Sequence, residues 1–178
     1  MLRGALLLAV AALDALVDDL VVEFLPKAIL AGKQGGDIAK WVKEAPDQPL
    51  AALAAADPAT SLAAWVASRH ATDSFVNPWK IENVLRDELG CPIALAGADQ
   101  PWVDTSAILA ALGVGWTPQD CRDRLGAIVR RRNDIAHDGD VNAAGRTNSI
   151  RRDQVAVAIL AIACVGHAVD GVIAAHLP

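Results

Sequence analysis

The chain has 178 residues, 53% of them hydrophobic, with a net charge of −5, no Tyr and two Phe. That length fits a single domain around one continuous core, and the negative balance argues against a protein that coats nucleic acid through bulk positive charge. Cys91, Cys121 and Cys164 are odd in number, widely spaced and without a C-x-x-C pair, so neither a disulfide frame nor a zinc site is indicated; buried thiols in a reducing, cytoplasmic setting are expected.

Turn-bounded β-branched runs are scarce, and the alanine- and leucine-rich composition points to an all-α bundle of about five to six helices. The first helix is expected from Leu2 to Leu25, with Pro26 kinking or stopping it. Its start has one basic residue and an apolar run, but Asp14, Asp18 and Asp19 recur at helical spacing. An amphipathic helix therefore explains it better than a secretory signal, which remains the lesser reading. GKQGG at 32–36 reads as a flexible break, Ile38 to Glu44 as a short helix, and the Pro46, Pro49 and Pro58 region as irregular or helical in pieces. Asp57-Pro58 is an N-cap followed by a first-turn proline, and predicts a helix to about Arg69. Asn77-Pro78 repeats the signal, and Gly90 stops that helix. Asp104 is expected to cap a short helix to Leu112. Thr117-Pro118-Gln119-Asp120 combines a cap, a proline and a first-turn acid, opening a helix that runs to Gly139. A polar loop over 139–149 leads to a last helix from about Ile150 to Ala175. Its uncharged 12-residue run is short of the roughly 20 residues of a membrane span, so no membrane partner is expected.

The helix from Pro118 carries the chemistry. Its apolar stripe is Leu125, Ile128, Val129, Ile135 and Ala136, and Arg132 falls inside it. An arginine there is costly unless it is paired or faces a wet cleft or a partner chain. Arg130, Asn133 and His137 share a neighbouring face. Arg130, Arg131 and Arg132 form a local basic site for RNA. Arg132 and His137 stand roughly 140° apart on an ideal helix. They meet on one ligand only if the helix end unwinds at His137 or the ligand lies in the groove between faces. Histidine moves a proton near neutral pH, arginine holds phosphate and stabilises charge on it, and Asn133 orients either. That set suffices for attack of an RNA 2′-hydroxyl on the adjacent phosphate without a metal or other cofactor; no acidic cluster or His-x-x-x-His spacing suggests one. Basic residues in a helix's last turns also complement its dipole, so the residues alone leave a purely structural role open.

The segment LGAIVRRRNDIAHDG resembles the signature helix of the HEPN superfamily, in the branch known as RiboL-PSP-HEPN, through Arg132-Asn133-Asp134-Ile135-Ala136-His137. FVNPWKIENVLRDELG resembles the helix that precedes it, and the likeness extends from Phe75 to the end. Some relatives carry glycine directly after the histidine, whereas here Asp138 intervenes before Gly139. The resemblance implies a helical homodimer with a composite site in which both Arg–His pairs face each other. It implies a metal-independent endoribonuclease leaving a 2′,3′-cyclic phosphate, often a toxin or anti-phage effector restrained by an antitoxin or nucleotidyltransferase partner. By position, Arg132 would contact the scissile phosphate, His137 would act as acid or base, and Asn133 would assist. The alternatives are a catalytically silent HEPN module that binds protein or RNA, and an unrelated helical structural domain. Elsewhere, His70 reads as a helix cap, His167 as a core histidine or a neighbour of the site, His176 as solvated, and the five tryptophans as packing.

Overall fold

The computed structural model describes residues 1–91, 103, 105–137, 140–141 and 144–177. It is all-α: eight α-helices occur among the described residues, α1 (Leu2–Leu30), α2 (Gly36–Glu44), α3 (Asp47–Leu53), α4 (Pro58–His70), α5 (Pro78–Asn83), α6 (Ser106–Ala111), α7 (Pro118–His137) and α8 (Arg152–His176). That is more than the five or six expected. In region 32–58 the short helix expected over Ile38–Glu44 is α2, which begins at Gly36, and the proline-punctuated stretch is helical over α3; the two bury Ile38, Pro49 and Ala52.

Two of the expected caps form through their side chains, whereas Asn77 precedes α5 without a side-chain cap hydrogen bond. Asp57 Oδ1 accepts from the Thr60 amide at 3.2 Å and Oδ2 from its hydroxyl at 2.6 Å, which holds Asp57 below the usual carboxylate range. At α7, Asp120 Oδ2 accepts from the Thr117 amide at 2.8 Å, and the Thr117 hydroxyl accepts from the Asp120 amide at 3.1 Å. This reciprocal pair starts α7 where the sequence placed it. The expected Asp104 cap lies outside the described residues.

Two boundaries differ from expectation. α1 continues through the buried Pro26 to Leu30. One missing amide is a small loss in a 29-residue helix whose Val21, Leu25 and Ala28 are buried on either side of the proline. After α5 the chain widens into a π turn, Val84–Glu88, before Gly90 turns it with φ +67°. There the GKQGG break is not loose: the Gly35 amide donates to the Glu88 carbonyl at 2.7 Å. A Cβ on Gly90 would overlap the Lys33 carbonyl, and one on Gly35 the Asp87 carbonyl. Gly90→Ala is therefore expected to lower stability by about 3 kcal/mol, roughly 6–12 °C in thermal midpoint. Gly113→Ala, at φ +65° but with open space around it, should cost only about 1 kcal/mol. Equal effects in thermal melts would show that the close approach at Gly90 carries no weight.

α1 is the central element, packed against α4, α7 and α8. α1 and α8 run parallel: Leu6 lies near Val155 and Ala158, Leu13 and Leu16 flank Gly166, and Lys33 Nζ donates to the His176 carbonyl at 2.9 Å. The core joins Val10, Leu13, Val17 and Leu25 of α1 to Leu62 of α4, Leu125 of α7 and Val165 of α8. The three cysteines are buried and unpaired, with burial pushing the Cys91 thiol up to about 11. By length and composition α8 would suffice to cross a membrane; half of its most apolar window is buried inside the fold.

Candidate functional site

Cys121, Leu125, Ile128 and Val129 fix one face of α7 on the core. One turn further the same stripe reaches Arg132, and here the protein opens. Arg132 is half-buried beside a cleft of about 310 Å³ between α1 and α4, lined also by Val10, Asp14, Asp18, His70 and Asp73. The arginine on an apolar stripe thus faces a wet cleft. Its Nη1 donates to Asn133 Oδ1 at 3.0 Å, and no carboxylate among the described residues pairs with it.

Successive positions on a helix differ by 100°, so the three arginines diverge. Arg130 is exposed and borders a second cleft with Asn77, Trp79 and Arg122. Arg131 turns to the opposite side and binds Asp140 through both carboxylate oxygens, at 2.5 and 3.0 Å. Asp140 is fully buried. Its carboxylate also accepts from Arg3 Nε at 2.8 Å and Asn148 Nδ2 at 3.2 Å, and its backbone sits at φ 58°. Arg131 is thus occupied in anchoring the loop after α7, and the basic triplet does not form one patch.

Asn133 and His137 are exposed, and His137 is the last residue of α7. The helix stays wound through His137, so the unwinding that would bring it to Arg132 does not occur. Within one chain the two remain roughly 140° apart and about 7.5 Å apart along the axis. Asp138 and Gly139 lie outside the described residues.

The other histidines depart from expectation. His70 is buried, with Nδ1 2.9 Å from Asp73 Oδ2 and Nε2 3.1 Å from Glu88 Oε2, and its ring contacts Trp41 and Phe75. It ties α4 to the π turn instead of capping a helix. Across the cleft stand Asp14, whose carboxylate accepts from the Phe75 amide and the Ser74 hydroxyl, and Asp18 and Arg132; Lys80 of α5 pairs with Asp73. Burial by itself pushes the His70 pKa down, but the Glu88 and Asp73 carboxylates outweigh it and the net shift is upward. A raised folded-state pKa means stability that is complete below the unfolded value of about 6.5 and lost as pH rises through the folded value. Urea midpoints should therefore fall as pH rises from 6 to 8, and His70→Gln should flatten that slope. An unchanged slope in His70→Gln would remove His70 as its source.

His167 is exposed on α8 and borders a groove with Leu16 of α1. His176 is half-buried rather than solvated. Trp65 is buried and meets Trp41 edge-on at 6.1 Å. Arg124 lies 4.1 Å over the Trp116 ring, whereas Trp79 is 51% exposed and so does not pack as expected. Trp102 lies outside the described residues. A further ion pair, Arg122–Glu82 at 2.8 Å, joins residues 40 positions apart and, like Arg3–Asp140 at 137, lies beyond any local sequence signal. Among the described residues no three His, Cys, Asp or Glu side chains cluster as metal ligands. Comparison with known protein families, curated proteins and solved structures returned no match.

Proposed function

We propose that this chain is a metal-independent endoribonuclease of the HEPN type, acting in the cytoplasm as a homodimer on single-stranded or looped RNA. The observation that carries the reading is the placement of Arg132: a guanidinium that no carboxylate among the described residues pairs with, at the open end of a buried stripe, one residue from an exposed Asn133 and five from an exposed His137. Arg132 would hold the scissile phosphate and Asn133 would orient it. His137 would move the proton of the 2′-hydroxyl or of the leaving 5′-oxygen. Because α7 remains helical to its end, the histidine serving a phosphate on Arg132 would come from the second copy. Arg130, exposed beside Trp79, is the remaining candidate for RNA backbone contact. A role as toxin or anti-phage effector, with an antitoxin or nucleotidyltransferase partner, belongs to the same reading.

One observation favours the second reading, a catalytically silent HEPN module that binds protein or RNA. Asp14, Asp18 and Asp73 line the same cleft as Arg132 and repel a phosphate approaching it. Incubation of purified protein with mixed single-stranded RNA in EDTA decides between them. Fragments ending in 2′,3′-cyclic phosphate are expected; intact RNA from a folded dimer establishes the silent module.

A further inference from the structure

The outer faces of α1 and α8 form an apolar surface that no other helix among the described residues covers. Leu8 is 73% exposed and Ile159 44% exposed. Leu8, Ala12 and Leu16 recur at four-residue spacing on α1, and Ala156, Ile159 and Ala163 at three and four on α8, the spacing of a helix seam. Between the two rows runs a groove of about 370 Å³ bordered by Leu16, Ile162, Ala163 and His167.

The charges at the two ends of this surface differ in sign. Exposed Arg152 stands at one end, and exposed Asp19 and Asp170 at the other. Because α1 and α8 run parallel, both acids lie at the same end. The surface is therefore complementary to itself when reversed.

We propose that a second copy of this chain packs on this surface, with α8 antiparallel to α8 and α1 antiparallel to α1 about one two-fold axis. An axis level with Ala12 and with position 161 brings Arg152 of each copy opposite Asp170 of the other. The same axis sets Ile159 opposite Ala163, a large side chain against a small one, and Leu8 opposite Leu16. One axis serves both helices because they run parallel in near register, with Leu16 against Gly166 and Leu6 bordering the same pocket as Val155. A two-fold contact of this kind is isologous and closes on itself. An anionic lipid surface fits less well, since Asp19 and Asp170 would face its headgroups.

Two helix widths of about 10 Å by about 27 Å of length give on the order of 500 Å² from each copy. The total, on the order of 1,000 Å², lies at the lower end of specific interfaces, so association is weak and depends on concentration. This contact goes beyond the ribonuclease reading. α7 packs against α1 and α8 on the side where Leu6, Ile128 and Ala158 border one pocket, so pairing on the outer face leaves both α7 ends free.

Sedimentation equilibrium of the full chain from about 5 µM to about 1 mM tests the proposal, with circular dichroism confirming that each variant is helical. The wild type should gain mass with concentration. Ile159→Asp should abolish that association step. Arg152→Asp and Asp170→Arg should each weaken it about tenfold or more, since two like-charge pairs replace two ion pairs, and the double exchange should restore it. Arg132→Ala should leave the step unchanged, separating it from the catalytic reading. A mass that never rises, a step that Ile159→Asp does not move, a double exchange that fails to restore association in a folded chain, or Ile159-dependent binding of the monomer to phosphatidylcholine vesicles would each overturn the proposal.

Discussion

Neither Arg132→Ala nor His137→Ala will cleave RNA, yet an equimolar mixture of the two will recover about one quarter of wild-type activity. Each loss is expected to reach about 10²–10⁴-fold, the usual contribution of a positioned proton-transfer group. Recovery follows from the geometry of α7. With the helix wound through His137, Arg132 and His137 of one chain diverge, and on the proposed reading a competent site would take its arginine from one copy and its histidine from the other. Random exchange makes about half the dimers mixed, and each mixed dimer holds one intact site of two, hence about one quarter. Recovery near zero, with both variants inactive alone, would mean that arginine and histidine act from one chain across the groove between their faces, or that each cleavage needs both Arg–His pairs. Full activity in either single variant would remove α7 as the active site.

The largest loss of stability outside the core is expected from Asp140→Ala. The side chain is fully buried and receives Arg131 through both oxygens, Arg3 and Asn148. Its carbonyl also accepts from the Asn148 amide at 2.7 Å, and its amide donates to the Asp134 carbonyl at 3.0 Å. Breaking one side of a buried ion pair costs about 3–5 kcal/mol. Here Arg3 and Arg131 are about a third exposed (side chains 36% and 27%) and turn partly to water, so about 2–4 kcal/mol is expected. Alanine also tolerates φ 58° less well than aspartate, whereas Asp140→Asn keeps that tolerance and isolates the charge. Urea unfolding should rank wild type above Asp140→Asn and Asp140→Asn above Asp140→Ala. Arg131→Ala should lower stability in the same assay without altering cleavage per folded molecule. Asp140→Ala at wild-type stability would show that the loop is held by other contacts.

Local chemistry made much of the fold legible. The Asp57 and Thr117–Asp120 caps, the Gly90 stop and the last helix follow from signals within four residues of where they act. α2 was legible as a short helix, but α3 only as helical in pieces, because seven residues are too few to form alone; burial of Pro49 and Ala52 holds it. The rule that proline ends a helix failed at Pro26 because burial along α1 outweighs one missing hydrogen bond. At the candidate site the anomaly of Arg132 was visible from the apolar period of α7, since a charge interrupts Ile128, Val129 and Ile135. The cleft it faces was not, because Asp14, His70 and Asp73 come from other helices. The basic triplet misleads for the same reason: nothing near Arg131 in sequence announces Arg3, 128 positions earlier, as its companion on Asp140.

The parallel contact of α1 with α8 sets a timetable for the chain as it leaves the ribosome. About 120 residues separate the end of α1 from the start of α8, an interval of about 6–24 s at common elongation rates. Throughout it the apolar side of α1 that will receive α8 has no covering, and Arg3 has no Asp140 to meet until residue 140 is made. A nascent chain carrying α7 with its Arg132 and His137 therefore precedes the helix that completes its core, and any holdase that recognises α1 has that interval in which to delay the folded state.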